Sequence, residues 1–342
     1  MVDVMTAPFE TLSEFSALLS NAPEPNNSVL KLAQERNSQL TKPKGALGRL
    51  EDLALWYAAW RGDFKPTIAR PQVVVFAGNH GVTAQGISLF PSDVTAQMVS
   101  NFQGGGAAIN QLSNCFGAKL EVHALDLDKP TQDFTVGPAM SEDDCIKALQ
   151  LGWSSVDPEA DLLVTGEMGI GNTTSAAAIS LALFGGVGSD WAGRGTGLDD
   201  AGVALKSHVI ERGLSTNPTA QGNGLEALRC LGGRELSAIA GAIARARILR
   251  IPVILDGFIC CAAAACLQAI SANAIDHSVA GHLSAEGAHE KMLAKLGKEP
   301  ILSLGLRLGE GSGATLAIGV LKASIACHSG MATFAEAGVS TG

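Results

Sequence analysis

Two stretches of the 342-residue sequence place a carboxylate inside a glycine-rich turn that feeds a helix. In RLGEGSGATLA (307–317), Glu310 stands between two glycines, just ahead of a helical pattern that begins near Ser312. In LLVTGEMGIGNTTSAAAISLAL (162–183), Glu167 lies within the turn, and Asn172, Thr173, Thr174 and Ser175 open the helix. Such turns ordinarily cradle an anion on backbone N–H groups, and the small hydroxyls of the second stretch suit a phosphate on the helix dipole. An ordinary Asn/Thr helix cap is the competing reading. The spacing is neither GxGxxG nor GxxxxGK[ST], so dinucleotide and P-loop binding both fail on pattern. A negative side chain in the centre of an anion cradle is an odd choice, and Glu310 therefore asks for a different chemistry or for a capping role.

Three further groups could act on a ligand. Lys206, two turns after the acidic pair Asp199 and Asp200 in GRGTGLDDAGVALK (193–206), is placed to reach a phosphate, with a solvated lysine as the alternative. No β run precedes the two aspartates, so they read as helix N-terminal charges rather than as a metal clamp. His80, in the post-strand turn of FAGNHGV, could be a general base or could organise its own loop. Gln97 carries an amide that both donates and accepts, as an aromatic nitrogen heterocycle would require.

Elements that position these residues follow from periodicity. Residues 9 to about 60 repeat apolar side chains three and four apart and predict two or three helices. At PQVVVFAGNHGV (71–82) a continuous β-branched run ends in a glycine turn, as in a buried parallel strand. Similar runs recur at 119–128, 160–171, 251–258 and 274–282, separated by alanine-rich helical stretches. The alternation predicts an α/β domain (residues 66–313) with a mostly parallel, Rossmann-like sheet flanked by helices. Residues 314–342 turn helical again and are expected to join residues 1–65 in a small discontinuous helical domain. Ligands of open parallel sheets bind beyond the carboxyl ends of the strands, which is where the glycine-rich loops fall.

Composition narrows the partners. A formal charge of −9 argues against a nucleic-acid binder, and the acidic start MVDVMTAPFETLSEF is not a targeting peptide, so a cytoplasmic location is expected. The most apolar stretch, IPVILDGFICCAAAACLQAI (251–270), is broken by Asp256 and Gly257, as in a buried strand and helix rather than a membrane span. Seven cysteines without a CxxC pair read as reduced core thiols, and the seven histidines form no metal-ligand spacing, so neither a metal nor a cofactor is expected.

Taken in order, KPKGALGRLE, FAGNHGV, GEMGIGNTT, GRGTGLDD, PVILDGF, HLSAEGAH and RLGEGSGA resemble the nicotinate-nucleotide:dimethylbenzimidazole phosphoribosyltransferase family over residues 42–338. The resemblance implies a homodimer that moves ribose 5-phosphate from nicotinate mononucleotide to 5,6-dimethylbenzimidazole, giving α-ribazole 5′-phosphate for cobalamin. It implies Glu310 as the catalytic base. It places Glu167, Gly169, Gly171, Asn172, Thr173, Lys206 and Gly309 at the ribose phosphate, and Gln97, Met168, Leu308 and Phe90 around the acceptor ring. The same chemistry on adenine, a phenol or another benzimidazole is the alternative within the family. An oxidoreductase would need the missing dinucleotide fingerprint, and a non-catalytic carrier of nucleotides or azoles would have no use for Glu310.

Overall fold

The computed structural model describes residues 7–195 and 197–340. Among these, three helices precede the first strand: α1 (Leu12–Ser20), α2 (Asn27–Gln39) and α3 (Arg49–Arg61). Side chains start the first two, Thr11 in a reciprocal capping box with Glu14, and Asn26 through bonds from Ser28 N–H and Val29 N–H. The VVVF run becomes β1 (Pro71–Ala77), buried along its whole length. After it come α4 (Asp93–Gln103), α5 (Ala108–Phe116), β2 (Lys119–Ala124), α6 (Glu142–Ser154), β3 (Leu162–Met168) and α7 (Asn172–Phe184). The second half runs α8 (Asp200–Thr216), α9 (Gly224–Leu231), α10 (Arg234–Ile248), β4 (Val253–Leu255), α11 (Phe258–Ile270), β5 (Ser278–His282), α12 (His289–Leu296) and β6 (Pro300–Leu302). It ends in α13 (Ser312–Gly330) and the short α14 (Phe334–Ala337).

All strand pairs are parallel, in the order β2-β1-β3-β4-β5-β6. The fold is thus the α/β parallel sheet that the alternation predicts. Strand β6 is not among the expected runs, because three residues are too few for a period to show. Side-chain alternation divides the core in two. Val74, Phe76 and Leu163 face the layer containing α6, α7, α10 and α11. Val73, Val75, Leu162 and Val164 face α3, α5 and α13. Burial on both faces is why these strands read as unbroken apolar runs.

The chain ends do meet, through Arg36, whose guanidinium donates to the carbonyls of His328, Ser329 and Met331, and through Ser324 Oγ to Leu50 O. Helices α2 and α3 take part, and so does the segment after α3, through Phe64 O beside His328 Nε2 (2.9 Å) and Pro66 O accepting from Ser329 Oγ (2.8 Å). Helix α1 lies on the opposite layer, where Phe9 stacks edge-on against Phe15 and Trp153, and the first turns of α13 belong to the sheet-facing core through Ala314, Ala317 and Ile318. The 251–270 stretch is β4 and α11, and no helix among the described residues is long and apolar enough to cross a membrane.

Candidate active site

Loops leaving the carboxyl ends of β3, β4, β5 and β6, with the 87–98 segment that follows β1, enclose a cavity of about 470 Å³. The connection order reverses between β1 and β3, and a cavity above such a switch point is where open α/β sheets bind ligands.

One part of the cavity wall sets a buried lysine beside the open start of a helix. Gly171, at φ +97°, turns β3 into α7 and leaves that helix without a side-chain cap. Gly169, Gly171, Asn172 and Thr173 line the cavity there. Lys206 reaches in from α8, 1% exposed, donating to Thr173 Oγ1 (3.1 Å) and Gly193 O (3.1 Å). No carboxylate lies within ion-pair distance of it among the described residues, and burial lowers its pKa, against the distant pull of Glu286. A buried ammonium held only by neutral oxygens lacks its counter-charge. Asp199 caps α8 through Gly202 N–H (2.8 Å) and Asp200 pairs with Arg194 (2.5 Å), so the acidic pair serves the helix start.

Glu310, on the turn beside Glu167, occupies the left-handed region, φ +63°, between Gly309 (+83°) and Gly311 (+82°). A residue with a Cβ pays roughly 1–3 kcal/mol to sit there. The turn lies directly on β3: a Cβ on Gly166 would stand 2.5 Å from Glu310 O and 2.7 Å from Gly311 N, so only glycine fits. Glu310 does not cap α13. That task falls to Asp256, at the end of β4, which accepts from Gly311 N–H (3.2 Å) and Ala314 N–H (2.9 Å). Glu310 is 5% exposed and its Oε2 has no partner among the described residues. Burial first, and the nearby Asp256 second, push its pKa up to about 7. Glu167 is pushed up to about 8 by burial and Asp256, against a bond from the Asn172 amide that stabilises its carboxylate.

Met168, Phe90 and Leu308 also line the cavity, and Phe90 (49% exposed) and Leu308 (58% exposed) leave apolar surface open to a ligand. Gln97 is not with them. On α4 it is Val94 and Met98, four residues apart, that face the cavity, and Gln97, 100° round the helix from Met98, is exposed to solvent. His80 also stays out of the cavity: its Nε2 meets Glu235 Oε1 at 2.6 Å and its Nδ1 meets Ser175 Oγ at 3.0 Å, all buried, so it organises the base of α7. Residues not singled out from sequence are Met98, Asp256, His282, Ser284, Glu286 and Arg307. Asp256 and His282 stood within quoted motifs, PVILDGF and HLSAEGAH, with nothing local to mark them.

The family model DBI_PRT, described as phosphoribosyltransferase, matches residues 22–339. A protein of Ruegeria pomeroyi named nicotinate-nucleotide–dimethylbenzimidazole phosphoribosyltransferase is 68% identical over 331 residues, covering 97% of this chain and 98% of its own length. One of the same name from Jannaschia sp. is 64% identical, over 99% of this chain and all of its own. The crystal structure of the Thermus thermophilus enzyme of that name superposes with a TM-score of 0.86 at 38% identity, over 93% of this chain and all of its own.

Proposed function

The chain belongs to the nicotinate-nucleotide:dimethylbenzimidazole phosphoribosyltransferase family, and from that premise we propose that its cavity carries out the family's reaction with Glu310 as the base. The enzyme transfers ribose 5-phosphate from nicotinate mononucleotide to 5,6-dimethylbenzimidazole, releasing nicotinate and giving α-ribazole 5′-phosphate. What supports the role of Glu310 is its free, buried Oε2, presented on a turn whose helix is already capped by Asp256.

In the nucleotide, nicotinate is a pyridinium whose nitrogen is bonded to C1′. As that bond breaks, its electron pair returns to the ring nitrogen, so the leaving group needs no acid. One nitrogen of the benzimidazole bonds to C1′ from the opposite face, which inverts β to α. The proton on the ring's other nitrogen passes to Glu310, whose pKa of about 7 suits a base working near neutrality. The carboxylate also opposes the positive charge that grows on the ribose and on the attacking ring. Lys206, Thr173 and the start of α7, with Glu167, Gly169, Gly171, Asn172 and Gly309 around them, take the phosphate end. Phe90, Met98, Met168 and Leu308 take the acceptor ring, which covers their apolar surface.

Incubating the protein with nicotinate mononucleotide and a panel of bases, then weighing the products, tests the assignment. The α-ribazole 5′-phosphate mass should dominate with dimethylbenzimidazole. Products from adenine or a phenol alone would move the enzyme to the alternative acceptor class, and none at all would overturn the reading. We also propose a homodimer in the cytoplasm. The seven unpaired cysteines suit a reducing compartment, and light scattering at working concentration reads the dimer.

A further inference from the structure

One buried polar side chain on the cavity wall has no task in the scheme above. His282 ends β5, is 2% exposed and lines the cavity. Neither of its ring nitrogens has a hydrogen-bond partner among the described residues, and Asp256 Oδ1 stands 3.4 Å from Nε2. An imidazole left this way in the interior is costly unless a ligand completes it.

The ring is packed on two sides. It lies across the first turn of α13, where a Cβ on Gly313 would stand 2.2 Å from Cδ2. Behind it the His289 ring stands edge-on at 6.0 Å, itself fixed by a bond from Ser284 N–H (2.9 Å) and by Cys261 Sγ (3.3 Å). Asp256 is itself held, since its two oxygens already accept from Gly311 N–H and Ala314 N–H. A proton on Nε2 faces that carboxylate and leaves the Nδ1 lone pair as an acceptor.

Sheet order says what reaches it. Strands β3, β4 and β5 are neighbours with Thr165, Leu255 and Ala280 in register, so His282, two places on, is level with Gly257 and Glu167 at their carboxyl ends. Lys206 and Glu310 line the same cavity. A nucleotide that spans them lays its ribose over these strand ends.

We propose that His282, beside Asp256, binds a ribose hydroxyl of the nucleotide substrate. The proposal rests on the phosphoribosyl reading of the cavity. Asp256 is on this account a positioning residue that fixes the Glu310 turn and faces the imidazole.

The test compares kcat/KM for nicotinate mononucleotide and its 2′-deoxy and 3′-deoxy counterparts, with dimethylbenzimidazole saturating, in wild type, His282→Ala and His282→Asn. With the ribonucleotide, His282→Ala should lose about 10- to 100-fold, the range expected when a buried polar contact is left unmade. With the counterpart lacking the contacted hydroxyl it should lose little. Taking the ratio of ratios removes the intrinsic reactivity difference between ribo and deoxy substrates. His282→Asn, which retains an acceptor near the position of Nδ1, should fall between and serves if the alanine variant does not fold, as checked by thermal melting. Equal losses on all three substrates would overturn the proposal. Failure of the phosphoribosyl reading itself looks different, because wild type would then release no nicotinate at all.

Discussion

Glu167 and Glu310 start from the same construction, a carboxylate between glycines at a strand-to-helix turn, and end in opposite states. Glu167 belongs to β3, in register with Phe76, and its Oε2 accepts from the Asn172 amide, which ties the turn to α7. Glu310 stands in the left-handed region on the next turn over, and its Oε2 accepts from nothing among the described residues. What separates them is who caps the helix. Helix α7 has no side-chain cap, so its amino end stays open towards Lys206. The start of α13 is already served by Asp256, which leaves the Glu310 side chain without a capping task. A glycine context therefore does not fix the role of a carboxylate; the availability of its lone pairs does.

The largest expected effect breaks the comparison at Glu310. Glu310→Gln keeps shape and hydrogen bonding but cannot take the proton, so single-turnover nicotinate release with dimethylbenzimidazole saturating should slow by about 10²–10⁴-fold, roughly 3–5 kcal/mol of barrier. A rate within about threefold of wild type would leave the turn without a base. The same variant has a pH signature. In wild type, kcat/KM should rise with pH up to about 7 and level off above it, as Glu310 ionises. Stability should move the other way. Because the folded pKa is raised from 4.5 to about 7, the folded protein binds more protons than the unfolded chain between those values, and the Glu310 contribution weakens as pH rises through that window. Glu310→Gln should therefore melt above wild type at pH 8, the gap closing towards pH 4, as differential scanning calorimetry would record.

The Lys206 site is sharpened by removing its charge. Lys206→Ala should raise KM for nicotinate mononucleotide by about 10- to 100-fold, since a charge-assisted contact to phosphate in a buried setting is lost. Nicotinate riboside has no phosphate to lose contact with and should be processed at nearly the wild-type rate. If the riboside suffers as much as the nucleotide, the counter-charge that Lys206 lacks is not the phosphate.

Much of this was legible because it is local. The β1 and β3 runs, the glycine turns that end them and the RLGEG segment each lie within about a dozen residues, where period and turn chemistry act directly. The capping role of Asp256 was not, because its partners Gly311 and Ala314 lie 55 and 58 residues further along the chain, and one aspartate in an apolar run has no local sign of what it accepts. His282 hides in the same way at the end of SVAGH. The packing of α1 was also hidden: its apolar spacing says that one face is buried but not against which layer.

The smallest expected effect concerns a single step along α4. The resemblance puts Gln97 beside the acceptor ring, yet one residue on a helix is 100° of rotation, and it is Met98, four after Val94, that lines the cavity while Gln97 is exposed. A thioether on this wall offers a polarizable surface for the ring face rather than hydrogen bonds for its edge, so on the proposed reading the ring N–H falls to Glu310. Gln97→Ala should accordingly leave KM for dimethylbenzimidazole within about twofold of wild type. Met98→Ala should raise it several-fold, about 1 kcal/mol for the apolar contact removed, with KM for the nucleotide unchanged. Steady-state kinetics with each substrate varied in turn decides this. A rise in base KM on removing Gln97 rather than Met98 would mean that α4 turns its other face to the ligand, and that the acceptor ring has a second hydrogen-bonding partner besides Glu310.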